Sequence, residues 1–262
     1  MSWILASEAE INDPFVVPPV NELFEFPAIW FEGTPFAINR TVIIMLFAVL
    51  LAIVFMLAVF PGKVIPNKLQ AVGEAVVEFV RDGIAYQVMG EAGRPFVPFL
   101  LSIFLFVYFN NLFEIIPFVN FPPTSRMAYP FLMAIIIYVV FLVVGLRHHG
   151  LGYFKEVAFP PGVPKPIYLL VTPIEIVSTF VVRPLTLAVR LFANMLAGHI
   201  ILTIIFLTIH AFLFSGLGTP IGLVALAASP LLIGFEAVVG LLQAYIMTIL
   251  AAVYIESSIN TH

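Results

Sequence analysis

Residues 183–200 read RPLTLAVRLFANMLAGHI. Two arginines, an asparagine and a histidine sit among leucines, alanines and valines that favour a helix. The surrounding sequence makes this stretch decisive. Of the 262 residues, 62% are hydrophobic and only 10% are charged, and the mean hydropathy is +1.12. A soluble domain carries roughly 25% charged residues. One aqueous core cannot hide so much apolar surface, so the chain is an integral membrane protein. The polar residues of 183–200 then lie inside a membrane helix.

The remaining sequence supplies the frame. Residues 1–38 are polar, acidic and Pro-rich, and form an external N-terminal arm. The opening MSWILASEAEINDPF lacks a basic start followed by an apolar core, so it is neither a signal peptide nor a transit peptide. Residues 39–262 form a single transmembrane domain. TVIIMLFAVLLAIVFMLAVF (41–60) is uncharged and long enough to cross a hydrocarbon core of about 30 Å. Pro61 and Gly62 end it. Further spans are expected at about 96–117, 128–146, 172–214 and 222–256.

Residues 67–90 differ. Leu69, Val72, Val76, Phe79, Val80 and Ile84 recur at helical spacing, with Gln70, Glu74, Glu78, Arg81 and Asp82 on the other side. This pattern predicts an amphipathic helix lying in the interface. A solvated helix packed on a soluble partner is the alternative.

Lysine and arginine counts orient the spans. Lys63, Lys68, Arg81 and Arg94 lie between spans one and two, and Arg147, Lys155 and Lys165 follow span three. The opposite loops offer only Arg40 and Arg126. The positive-inside rule puts the basic loops in the cytoplasm. Five crossings follow, with the N-terminus outside and the C-terminus inside. The fold class is an all-α integral membrane protein with five crossings and an interfacial amphipathic helix.

The last two helices form a long, tilted antiparallel hairpin. Thr172-Pro-Ile-Glu175 reads as a capping box that starts the fourth crossing. A helix from 172 to 214 is roughly 65 Å long, about twice the bilayer core. Pro184 should kink it. The alternative is two shorter spans broken near Pro184, but no turn-rich stretch separates them. A hairpin centred near residue 217 places residues equidistant from that centre at one depth: His199 with Glu236, Arg190 with Gln243, and Asn194 with Gly240. Arg190 and Asn194 are helical neighbours, whereas His199 faces the opposite side, roughly 14 Å along the axis from Arg190.

An intramembrane charge costs at least about 2.5 kcal/mol and marks an ion path or a pairing site. Within the chain, no acidic residue matches the depth of Arg190, so its counter-charge belongs to another subunit. His199 and Glu236 both exchange protons and read as a relay, or else as a structural buried pair. Asn110 and Glu114, at the outer end of span two, read as a channel mouth. Glu175 is read chiefly as a capping carboxylate and is carried with the proton-path candidates, as are Asn194 and Gln243. Arg183 faces the cytoplasmic interface. Gly198, Gly234 and Gly240 allow close helix approach. The pair His148–His149 is weak evidence for a metal, and no metal or cofactor is expected. A chain of net charge −4 without cysteine excludes nucleic-acid partners and disulfides.

RLFANMLAG (190–198) resembles the signature of subunit a of F-type ATP synthases, in which an arginine opens an RLF(G/A)N run. Gln243 in LLQAYIM matches that family's glutamine in the last helix, and NNLFEIIP (110–117) resembles its span-two ending. The resemblance covers about residues 40–256. In the better-known bacterial pattern the arginine helix carries a glutamate nine residues on and the last helix carries a histidine. His199 and Glu236 hold those places here, exchanged.

The resemblance implies a proton-conducting stator subunit in a bacterial inner membrane, not an enzyme on its own. Its partners are a ring of c subunits, peripheral-stalk b-type subunits and the other ATP synthase subunits. Protons enter by one half-channel, protonate a ring carboxylate, ride round and leave by a second. Arg190 stands between the two and stays charged at any accessible pH. A secondary transporter with substrate at Arg190 is the rival reading; it predicts internal repeats and broken helices, and the sequence has neither. A structural scaffold leaves the depth-matched polar groups unexplained.

Overall fold

The computed structural model describes residues 27–31, 33, 37–59, 67–116, 119–150, 152–159 and 167–260. Most of the expected acidic arm lies outside them, as do Pro61, Gly62, Lys63 and Lys165. The described part of the arm adds a small antiparallel strand pair, β1 (Ala28–Trp30) and β2 (Ile38–Asn39). Every later element among the described residues is a helix.

Asn39 accepts a 3.0 Å hydrogen bond from the backbone N–H of Val42 through Oδ1 and so starts α1 (Arg40–Val59). This helix is apolar on every side. Leu46, Phe47, Leu50, Val54 and Leu57 are exposed, while Thr41, Ile44 and Ala48 turn inward. A helix hydrophobic all round suits a lipid surround.

The second helical run, Lys68–Ile115, joins the expected amphipathic helix to the second span through a joint at Gly90. It comprises α2 (Lys68–Val80), a π-helical stretch Arg81–Tyr86, one turn at Gln87–Met89, a 3₁₀ stretch Gly90–Phe96 and α3 (Val97–Ile115). Gly90 is the joint, at φ +59°, a value side-chain-bearing residues rarely adopt. The chain folds back there. A Cβ on Gly93 would lie 2.7 Å from the Ala85 carbonyl oxygen, whereas eight residues of straight helix separate by about 12 Å.

The amphipathic stripe of α2 is divided. Val80 and Ile84 are buried within the protein, Leu69, Val72 and Phe79 are exposed, and Gln70, on the expected polar side, is buried. Gly73 causes this. Its bare Cα accepts the Val59 side chain at the end of α1, which turns the Gln70–Gly73–Val80 edge inward.

α4 (Ala128–His149) and α5 (Gly152–Ala158) meet at Gly145, over which the Tyr153 ring packs. The fourth long helix begins earlier than the capping reading placed it. α6 spans Tyr168–Val177, so Thr172 is interior and Pro173 lies within the helix. The Pro-rich tail ends at Pro166, and the helix forms as soon as the prolines stop. Pro173 is the sixth residue of α6 and removes one backbone bond, the one an N–H there would make to the Leu169 carbonyl. Glu175 therefore caps nothing.

A π-helical turn, Ser178–Val182, leads into α7 (Arg183–Phe212), with Pro184 in its first turn. The expected interruption at Pro184 thus takes the form of a widened turn, and the run Tyr168–Phe212 stays unbroken over 45 residues. A short link at Gly216–Gly218 reverses the chain into α8 (Thr219–Ile259), 41 residues long.

α8 carries a buried stripe of Gly222, Ala225, Ser229, Glu236, Gly240, Gln243, Met247, Ala251 and Ile255. Against it lies the buried edge of α7: Leu187, Leu191, Met195, Gly198, His199 and Leu202. α3 packs on another side of α8, α4 packs on α7, and α1 lies outermost on α3. Lipid is as apolar as leucine, so small residues that let backbones approach must hold such helices together. Ala48, Ala134, Ala188, Ala244, Ala251 and Ala252 are all fully buried. Five of these helical runs are long and apolar enough to cross a membrane, which makes the chain an all-α membrane protein.

Candidate functional site

Arg190 is exposed on α7, on the same face as Thr186, Val189, Ala193, Ala197 and Ile201. Among the described residues it has no hydrogen-bond or ion-pair partner; the one salt bridge there joins Arg81 to Asp82 at 2.7 Å. On α8, Val238, Leu241 and Leu242 are likewise exposed. A lone guanidinium thus stands on an apolar surface that nothing among the described residues covers.

Arg183, seven residues earlier, is tied down instead. Its Nη1 donates to Ser257 Oγ at 3.2 Å, and its guanidinium lies 5.5 Å from the Tyr254 ring centroid. It is turned onto α8.

Behind this surface the buried edge of α7 gathers the acidic residues. The missing side chain of Gly198 makes the room: a Cβ there would lie 2.5 Å from Glu236 Oε2 and 2.8 Å from Glu114 Oε1. Carboxyl groups from α3 and α8 therefore converge on one point of α7. Glu114 is 1% exposed and Glu236 5%. Among the described residues, neither Oε1 of Glu114 nor Oε2 of Glu236 has a hydrogen-bond partner. His199, next in the chain and also 5% exposed, meets the Phe121 ring edge-on at 5.5 Å between centroids.

Asn110, one turn before Glu114, is fully buried and donates to the Phe106 carbonyl at 2.7 Å. Its Oδ1 finds no partner among the described residues. The structure thus brings Glu114 and Glu236 together over Gly198, with the buried His199 next in the chain and Asn110 one turn from Glu114. Gln243 is buried farther along the α8 stripe and Asn194 is half-buried on α7. Neither is hydrogen-bonded to Arg190. Glu175, half-buried on α6, is roughly 22 Å along the helix from Arg190 and joins no cluster.

Two contributors were missed in the sequence. Asn111 donates to the Gly240 carbonyl at 3.3 Å and accepts from Thr124 Oγ1 at 3.0 Å, locking α3 to α8. Thr124 sits in the 3₁₀ turn Pro123–Ser125. The signal for Asn111 was its spacing: three residues before Glu114, it shares that residue's inward face. A cavity of about 10 Å³, lined by Tyr108, Asn111, Ile115, Glu236 and Gly240, lies where α3 meets α8. That is room for about one water.

Among the described residues no three acidic or histidine side chains are placed to hold a metal ion. His148 and His149 each engage a backbone carbonyl, of Val144 and Ile259 respectively, both at 3.0 Å.

Comparison with known proteins shows the family to which the chain belongs. The chain is 38% identical to the ATP synthase subunit a of Rhodococcus erythropolis, over 95% of this chain and 92% of that protein. It is 38% identical to the subunit a of Pseudarthrobacter chlorophenolicus, over 98% and 97% respectively. For the Frankia alni subunit a the identity is 40%, over 92% and 88%. The family model described as ATP synthase A chain matches residues 41–256, which hold every residue of the site, and the chain belongs to that family.

Proposed function

We propose that this chain is the proton-conducting stator of the ATP synthase membrane sector, offering two offset half-channels to a rotating c-ring. One observation carries the reading: Arg190 stands alone on an outward apolar face, while Glu114, Glu236 and His199 are buried behind it. The lone cation supplies the counter-charge for a carboxylate on another subunit. The buried groups supply exchangeable proton sites on the other side of the same helix.

On this reading a proton enters from outside past Asn110 and reaches Glu114, Glu236 and His199. It passes to a ring carboxylate, and after rotation leaves toward the cytoplasm, with Asn194, Gln243 and Glu175 along the remaining path. Arg190 attracts each deprotonated ring carboxylate. Because a guanidinium does not give up its proton, it also bars direct leakage between the two paths. The c-ring and b-type stalk subunits are the partners. The N-terminus is outside and the C-terminus cytoplasmic, with α2 along the inner interface and residues 1–38 as an external arm.

Arg190→Ala in the assembled complex tests this. ATP-driven proton pumping is expected to fall to background while the complex still forms. Pumping at the wild-type rate would overturn the proposal.

A further inference from the structure

We propose that Glu114 and Glu236 keep one proton between them over Gly198, and take up and release a second as a single site, not as successive stations. The inference rests on the proton path proposed above. A point 2.5 Å from Glu236 Oε2 and 2.8 Å from Glu114 Oε1 fixes those two oxygens no more than 5.3 Å apart, the sum of the two distances. The same two oxygens are buried and, among the described residues, have no hydrogen-bond partner. Beside Glu236 lies the water-sized cavity between α3 and α8.

Two like charges this close, out of bulk water, strongly resist ionising together. A proton shared between them satisfies both orphan oxygens at once, directly or through one water. Neither a lysine nor an arginine forms a salt bridge with either carboxylate among the described residues. His199 follows Gly198 in the chain, and its ring rests on Phe121. Two exchangeable states result. Uptake of a proton converts the singly protonated, singly charged pair into a neutral pair, and release restores the charge. No other bond changes. The pair belongs to groups whose titration is a property of both together.

The structure also shows why the site needs Gly198. Any side chain there would sit between the two carboxyl groups and push at least one aside. The closeness of α3, α7 and α8 at this level leaves it little room to move.

The experiment uses the assembled ATP synthase in inverted membrane vesicles, reading ATP-driven acidification. Glu114→Gln and Glu236→Gln each leave one carboxyl beside an amide that can donate to it, so each retains one exchangeable site. Each single variant is expected to keep at least about a tenth of the wild-type rate, and the double variant to fall to background. Gly198→Ala is expected to slow pumping in the wild-type background but to change little in Glu114→Gln, where no pair remains to be split. This coupling also decides the matter where a glutamine variant assembles poorly, as gauged by co-purified ring.

Single variants as severe as the double would overturn the shared site in favour of serial relay, leaving the path intact. An equal effect of Gly198→Ala in both backgrounds would overturn it too. A double variant that pumps at the wild-type rate would remove the path itself.

Discussion

Asn111 donates through Nδ2 to the Gly240 carbonyl, 3.3 Å away and 129 residues distant in sequence. The bond joins α3 to α8 one turn from Glu236. Gly240 permits it, since its Cα carries nothing that would hold the helices apart; an added Cβ would come 3.3 Å from Asn111 Cβ. Asn111→Leu removes this donor and the acceptor for Thr124. The expected loss is about 0.6–2 kcal/mol, the range for an interhelical bond in lipid and its stranded partner. Thermal dissociation of the detergent-solubilised complex measures it. An unchanged dissociation temperature would show that the bond contributes nothing.

Gly73 makes a sharper steric prediction. Its Cα is covered by the Val59 side chain, so even a methyl must displace the end of α1. Gly73→Ala is expected to destabilise the α1–α2 corner by about 1–3 kcal/mol. Gly83→Ala is the matched control, since its Cβ would meet only Phe79 at 3.6 Å. Equal protease resistance of the two variants in membranes would contradict this.

Loss of the buried polar groups behind Arg190 is expected to weaken coupling directly. Glu236→Leu or His199→Leu should cut proton-coupled ATP synthesis at least about tenfold, since each removes an exchangeable group. The exchange His199→Glu with Glu236→His should recover part of it, because relay sites need protons more than a fixed order. Normal synthesis in both leucine variants, with normal assembly, would restrict these residues to packing.

Orientation can be read by labelling, since the chain has no cysteine. Lys155 on α5 and Ala128 at the start of α4 are both exposed and lie at opposite ends of the third span. An impermeant thiol reagent added to intact cells is expected to label Ala128→Cys and to spare Lys155→Cys. The reverse pattern would invert the topology.

The spans and the hairpin register were legible because apolar run length and antiparallel depth are one-dimensional properties. His199 was matched to Glu236 by counting from the loop, and Gly198 does approach Glu236. What escaped the reading depends on three dimensions. Thr172-Pro-Ile-Glu175 has the residues of a cap, yet local chemistry cannot tell whether the helix has already begun, and α6 starts at Tyr168. The inward turn of Gln70 follows from Val59 docking on Gly73, a contact between separate helices. Asn111 was passed over beside Asn110 because two adjacent asparagines differ only in where a partner helix lies. Glu114 was placed at a channel mouth, but nothing in its spacing announced Glu236 as its neighbour.

The π-helical turn at Ser178–Val182 has a consequence for how this molecule can vary. A wide turn holds a surplus residue, so the segments on either side of it are out of angular step with a continuous α-helix. α6 is thereby free to follow its own contacts with α5 while α7 keeps Arg190 pointed outward. Deleting one residue within the turn would restore ordinary pitch with the two segments at nearly the same angle, whereas winding the turn as α-helix at its present length would swing one segment about 100° against the other. The turn works as a phase adjuster: it separates the aim of the arginine from the anchoring of the helix that carries it.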